Sequence, residues 1–194
     1  MNSDKVYLRH QLLRRRRELD VEMWRGWSDR ICHHLLNYPQ FMESRTILAY
    51  QSCNQEPDLS YLFNNSTKQW GLPRCVNKNL IWHSWQPTEP LVSGAYGILE
   101  PSAELPQLEP DIVDLILVPA VAIDRHGYRL GYGGGYYDRL RADPRWEKIP
   151  AIAIIFDFAY VELLPIDPWD LPVTAVCTEL GITPILGKFS RIYQ

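Results

Sequence analysis

The sequence predicts a single α/β domain whose sheet carries helices on both faces. Three observations lead there. Residues 114–123 (DLILVPAVAI) and 151–156 (AIAIIF) are apolar at nearly every position and rich in Val and Ile, the pattern of strands buried on both sides in a parallel sheet. Strand-like runs alternate with helix-like ones, as crossover connections require. The 194 residues are 46% hydrophobic and 22% charged, a globular composition on a chain long enough to bury a sizeable core. Neither an internal repeat nor a second composition zone is present, so residues 1–194 read as one domain.

The elements follow in order. Ser3 or Asp4 can cap a first helix, on which Val6, Leu8, Leu12, Leu13 and Leu19 make a rough apolar stripe. Asp20 can cap a second, reaching about Asn37, with Met23, Trp24, Trp27, Ile31 and Leu35 on its core face and Pro39 closing it. Residues 46–50 read as a short buried strand, and Asp58 can cap a helix through Leu62. Residues 70–76 and 80–85 read as strands split by the turn Asn77-Lys78-Asn79. Residues 86–110, rich in Pro, Gly and Glu, read as loop. The long run at 114–123 is one buried strand, and Asp124 fixes a turn with Gly127. Residues 136–140 look helical until Pro144 ends the helix, 151–156 form a buried strand, and 175–177 begin a last one.

Charge and cysteine usage narrow the function classes. A formal net charge of −3 argues against a surface built for nucleic acid. The run Arg14–Arg17 covers every side of a helix and reads as a solvated face rather than a polyanion grip. No stretch approaches the ~20 apolar residues of a membrane span. The first residues are charged at once (Asp4, Lys5, Arg9) and lack an apolar leader, so the cytoplasm is the expected compartment. Cys32, Cys53, Cys75 and Cys177 are far apart, with no CxxC pair, and read as thiols of a reducing environment.

The stretch Arg129-Leu130-Gly131-Tyr132-Gly133-Gly134-Gly135-Tyr136-Tyr137-Asp138 is the most informative. Four glycines in five residues forfeit much backbone entropy on ordering. The cost makes sense where backbone N–H groups must approach a ligand closely. A strand, a glycine-rich turn and a helix start form a natural phosphate cradle. Arg129 adds fixed positive charge, and Asp138, one turn further on, is placed to hold Mg²⁺ against phosphates. The spacing matches neither GxxxxGK[ST] nor GxGxxG. On residues alone, a tight structural loop and a phosphate cradle stay level, and a sugar-phosphate or coenzyme A ester enzyme remains an alternative to an ATP enzyme.

RLGYGGGYYDR, preceded by LVPAVAIDRHGY, resembles the signature of the 5-formyltetrahydrofolate cyclo-ligases. Further blocks resemble that family in the same order: Lys5 to Arg9 its K-x-x-L-R, Glu56 a substrate-contacting glutamate, residues 97–101 its G-I-x-E-P segment, and Leu164-Pro165, residues 169–172 and Thr178 its C-terminal block. The resemblance implies an open three-layer α/β sandwich with a mostly parallel sheet. It implies ATP-driven closure of 5-formyltetrahydrofolate to 5,10-methenyltetrahydrofolate, with ATP as co-substrate and Mg²⁺ as cofactor. By that resemblance, Lys5, Arg9 and Arg129 serve catalysis and contact ATP phosphates. Residues Leu130, Gly131, Tyr132, Gly133, Gly134, Gly135, Tyr136 and Tyr137 wrap ATP, and Tyr132 to Tyr136 together with Glu56 meet the folate. Asp138 and Asp170 serve Mg²⁺. Some members of the family carry basic residues where this chain has Tyr132 and Gly134, which shifts the burden of phosphate charge to Lys5, Arg9, Arg129 and Mg²⁺. The expected protein is a monomer acting on small molecules, with no nucleic-acid or membrane partner.

Overall fold

A computed structural model describes residues 3–185. Its helices are α1 (Ser3–Arg17), α2 (Val21–Leu36), α3 (Pro39–Glu43), α4 (Ser60–Phe63), α5 (Tyr136–Arg141) and α6 (Pro144–Glu147). Its strands are β1 (Thr46–Leu48), β2 (Gln69–Val76), β3 (Asn79–Trp85), β4 (Leu91–Ser93), β5 (Leu99–Pro101), β6 (Leu115–Pro119), β7 (Ala122–Asp124), β8 (Arg129–Leu130), β9 (Ala151–Ile154), β10 (Tyr160–Val161), β11 (Ala175–Thr178) and β12 (Gly181–Pro184).

The central sheet runs in the order β12-β11-β9-β6-β1-β2-β3. Its inner five strands pair in parallel, and β3 and β12 close the two edges antiparallel. Alternate residues of each inner strand feed opposite faces. Ile47, Leu115, Leu117, Ile152 and Ile154 face one way, with α2, α3 and α4 packed over them through Ile31, Leu35, Phe41 and Leu62. Leu48, Ile116, Val118, Ala151 and Ala153 face the other, covered by α5 and the segment after α6 through Leu140 and Ile149. This is a three-layer α/β sandwich with a mostly parallel sheet and helices on both faces, as the doubly apolar runs predict. Gly71 of β2 is a packing device: a Cβ there would lie 2.3 Å from Leu48 Cδ2 and 2.7 Å from Leu108 Cδ1.

The order of connection matters for function. From β1 the chain crosses by α4 to β2 on one side, yet β6, on β1's other side, crosses by α5 and α6 to β9 further out. The two crossovers leave on opposite faces, so the carboxyl ends of β1 and β6 flank a switch point, where open α/β sheets hold ligands.

Several expectations need correction. The run at 114–123 is not one strand: β6 ends at Pro119, Ala120 and Val121 turn the chain, and β7 starts a separate three-stranded sheet of order β10-β7-β8. Proline supplies no amide for the ladder, which is why the long run breaks there. The 86–110 loop contains the β4–β5 hairpin, whose buried Glu100 accepts the Cys75 amide of β2 at 3.0 Å. Pro39 and Pro144 open α3 and α6 at the first helical positions, where a missing N–H costs nothing. α1 already includes Ser3, so Ser3 and Asp4 sit in its first turn. Met23 is exposed, leaving Trp24, Trp27, Ile31 and Leu35 to face the core. Asp20 caps α2 as expected, accepting from the Met23 amide at 2.8 Å. Asp124 is fully buried and accepts from the amides of His126 (2.9 Å), Tyr128 (3.0 Å) and Leu164 (3.1 Å), fixing the turn with Gly127.

Candidate active site

The turn after β1 and the loop after β8 meet at the switch point. Glu56, on the first, is buried, and Tyr132, on the second, donates its hydroxyl to Glu56 Oε1 at 2.6 Å. The second carboxylate oxygen accepts the Cys53 amide at 3.1 Å. The Glu56 carbonyl is fixed by Trp24 Nε1 and Ser52 Oγ, each at 2.8 Å, so Trp24 serves the site as well as the core. Loss of hydration around the Tyr132 hydroxyl pushes its pKa far up, with the Glu56 charge adding to the rise and the Arg16 charge opposing it.

The glycine loop folds locally for identifiable reasons. Gly133 (φ +101°) and Gly135 (φ +67°) adopt left-handed backbone that other residues reach at a cost, and Gly135 caps α5. A Cβ on Gly134 would sit 2.9 Å from the Tyr136 ring. Among the described residues, no hydrogen bond takes a backbone amide from Gly131 to Tyr137 as its donor. α5 has only six residues, so an anion held here would meet these loop amides more than a helix dipole. Arg139 braces the loop from outside, donating to the Lys78 carbonyl at 2.6 Å and the Gly134 carbonyl at 2.8 Å. Leu130 is buried against Leu12 and contributes backbone only, its carbonyl accepting the Val121 amide at 2.8 Å.

Of the predicted cations, Arg9 and Arg129 reach that loop or the helix after it, and Lys5 is held by aspartates further along the chain. Arg9 Nε donates to the Gly131 carbonyl at 2.8 Å, and its guanidinium lies beside Gly133. Arg129 has a largely buried side chain that bonds Asp138 and donates to the Leu171 carbonyl at 3.1 Å. Lys5 Nζ lies 2.6 Å from Asp167 and 3.3 Å from Asp170. Burial alone would lower the Lys5 pKa, but the bond to Asp167 and the charge of Asp170 together raise it. Asp170 also accepts the Asp167 amide at 2.8 Å. Asp138 and Asp170 thus stand on different cations, linked through Arg129 and Leu171, rather than side by side. Tyr136 lies at the outer lip: its hydroxyl is 3.2 Å from that of Tyr96 on the β4–β5 hairpin. The bond to Tyr96, then burial, pushes the Tyr136 pKa up to about 12. Tyr137 packs inward, its ring centroid 6.5 Å from that of Trp82.

Two participants escape the sequence reading. Asp167 holds Lys5 more closely than Asp170 does. Arg16, expected on a solvated face, is buried and bonds the Asn54 carbonyl and the Tyr132 hydroxyl. Nothing in four consecutive arginines tells which one turns inward; Leu12, four residues earlier and buried, is the available hint.

Among the described residues, no three His, Cys, Asp or Glu side chains form a ready metal cage. Mg²⁺ beside a nucleotide is ordinarily held by one or two carboxylates together with phosphate oxygens. Asp138 and Asp170 are each engaged with a cation of the chain itself, Arg129 and Lys5, so either would have to exchange that partner to hold an ion.

Fold and site define an α/β domain with a glycine-rich loop and a buried carboxylate at its switch point. The chain belongs to the 5-formyltetrahydrofolate cyclo-ligase family, which it matches over residues 1–179. It is 30% identical over 171 residues to the 5-formyltetrahydrofolate cyclo-ligase of Escherichia coli K12, covering 84% of this chain and 94% of that one. It is 30% identical over 191 residues to the enzyme of that name from Mycolicibacterium smegmatis, covering 90% and 93%. The NMR structure of Aquifex aeolicus 5,10-methenyltetrahydrofolate synthetase superposes with a TM-score of 0.83 at 32% identity, covering 98% of this chain and 99% of that one. No helix among the described residues is long and apolar enough to cross a membrane.

Proposed function

We propose that the protein converts 5-formyltetrahydrofolate to 5,10-methenyltetrahydrofolate, consuming ATP and releasing ADP and phosphate. Family membership supports the reaction, and the observation that supports its location is the run of unpaired amides from Gly131 to Tyr137 beside Arg9 and Glu56. A formamide carbon is a poor electrophile and its oxygen a poor leaving group. Transfer of the terminal phosphoryl group to the formyl oxygen answers both: the P–O bond to ADP breaks as the new P–O bond forms. N10 then attacks the activated carbon and gives up its proton, and phosphate departs with the former formyl oxygen.

Such chemistry asks the chain mainly to position groups and neutralise charge. The loop amides, Arg9 and Arg129 bind the triphosphate, and Lys5 reaches it on exchanging Asp167 for a phosphate oxygen. Glu56, with Tyr132, receives polar N–H groups of the folate, and Tyr136 lines the outer wall. Asp138 and Asp170 would hold Mg²⁺, which when bound neutralises charge on the phosphate oxygens. The protein works as a monomer in the cytoplasm. The test is direct: purified protein with ATP, Mg²⁺ and 5-formyltetrahydrofolate forms methenyltetrahydrofolate, followed by its near-ultraviolet absorbance. Folded protein that forms none under these conditions refutes the assignment.

A further inference from the structure

Arg16 is only 5% exposed, although it lies within a run of four arginines. Its Nε donates to the Asn54 carbonyl at 3.0 Å, its Nη2 bonds the Tyr132 hydroxyl, and its Cζ lies 5.4 Å from the Tyr132 ring centroid. The direction of the chain of bonds is fixed by chemistry. A guanidinium can only donate, so the phenol oxygen receives from Arg16 and gives its single hydroxyl hydrogen to Glu56 Oε1. Among the described residues, no carboxylate lies within ion-pairing distance of Arg16. Burying a guanidinium is unfavourable unless its donors are satisfied, so mere packing would be better met by an apolar side chain.

A second observation points the same way. Asn54 and Gln55 both hold left-handed backbone (φ 47° and 55°). The strained turn is tied to the end of α1 twice, by Arg16 to the Asn54 carbonyl and by Gln55 Nε2 to the Leu19 carbonyl at 3.1 Å. Strain of this kind persists only where surrounding contacts enforce it.

We infer that Arg16 is a positioning residue: it sets the Tyr132 hydroxyl on Glu56 and thereby couples the glycine loop to the turn that carries the folate carboxylate. This rests on the proposed roles of Glu56 and the loop. Arg16 touches neither substrate; it acts through Tyr132, so that the two binding segments hold one relative placement.

The test compares Arg16→Met, Arg16→Lys, Tyr132→Phe and the Arg16→Met/Tyr132→Phe pair with the parent protein. Amide NMR resonances of Gly131, Gly133 and Cys53 are read without substrate, and Michaelis constants for both substrates are read during turnover. Arg16→Met and Tyr132→Phe should each move the same three resonances and raise the folate KM about tenfold, as loss of one charge-assisted bond does. The ATP KM should change less. The pair should be no worse than the worse single variant, because both remove one chain of bonds, and Arg16→Lys should recover part of the loss. Resonance changes confined to α1, or a pair whose effects multiply to about a hundredfold, overturn the inference. A parent protein without turnover defeats the functional reading, while the resonances still decide the role of Arg16. If Arg16→Met does not fold, Tyr132→Phe alone decides: an unmoved Cys53 resonance ends the inference.

Discussion

Arg9 and Lys5 lie one turn apart on α1, yet their neighbours give them different tasks. Arg9 already touches the glycine loop, whereas Lys5 is held by two aspartates. Arg9→Ala should therefore raise the ATP KM by roughly ten- to a hundredfold, the effect of one lost charged contact, and leave thermal stability nearly unchanged. Equal effects on both substrates would contradict the assignment. Asp138→Asn should weaken the dependence on Mg²⁺, and an unchanged metal titration would remove Asp138 from the site. Asp124 is the contrasting case, a carboxylate of the same apparent rank whose oxygens are committed to three backbone amides. Asp124→Ala should cost about 2–4 kcal/mol of stability, by leaving buried donors unpaired, as read from denaturant midpoints. Asp124 was legible because local grammar was enough: an aspartate three residues before a glycine marks a turn. A carboxylate after a glycine run reads as a phosphate-site residue, and the metal titration of Asp138→Asn tests that. Arg16 was illegible because its burial depends on Asn54 and Tyr132, which lie 38 and 116 residues away.

At the scale of elements, the glycine loop and β2 make opposite uses of one residue type. Gly133 supplies a conformation and an open approach, and among the described residues a methyl there meets only the Arg9 guanidinium, at 3.9 Å. Gly71 supplies room inside the sheet. Gly133→Ala should weaken ATP binding with a stability loss of about 1 kcal/mol. Gly71→Ala should instead cost about 1–3 kcal/mol through overpacking and spare the Michaelis constants of the folded fraction. Measuring both quantities for both variants separates the roles, and the reverse pattern would refute it. The strands buried on both faces were readable because their apolar runs are uninterrupted. The β4–β5 hairpin was not, since its short segments are held by docking on β2 through Glu100 rather than by their own pattern. The break of the long run at Pro119 was written in the sequence as a missing amide, but its apolar neighbours masked it.

For the whole molecule, the crossovers from β1 and β6 leave on opposite faces and place Glu56 and the glycine loop across one crevice. Alternation of apolar runs implied such a sheet, and the family resemblance an open, mostly parallel one, but neither gave its strand order, which depends on long-range pairing. The buried core also fixes a response to alkali. Burial raises the Cys32 thiol from 9.0 to about 12, and desolvation likewise raises Cys177 and Tyr50. The folded state holds these protons more tightly than the unfolded chain does. Their contribution is therefore complete below about pH 9 and is lost as pH climbs toward 12 and beyond. Urea midpoints should hold level into the weakly alkaline range and fall above it; a midpoint that rises with pH there would contradict this. The central claim is that the Gly131 to Tyr137 amides grasp a triphosphate next to the folate carboxylate. The most direct measurement is a crystal structure with a nonhydrolysable ATP analogue and 5-formyltetrahydrofolate. Phosphate oxygens about 2.7–3.2 Å from several of those amides, with the pterin at Glu56, are the predicted result. Amides turned away, with the nucleotide bound elsewhere, would contradict it.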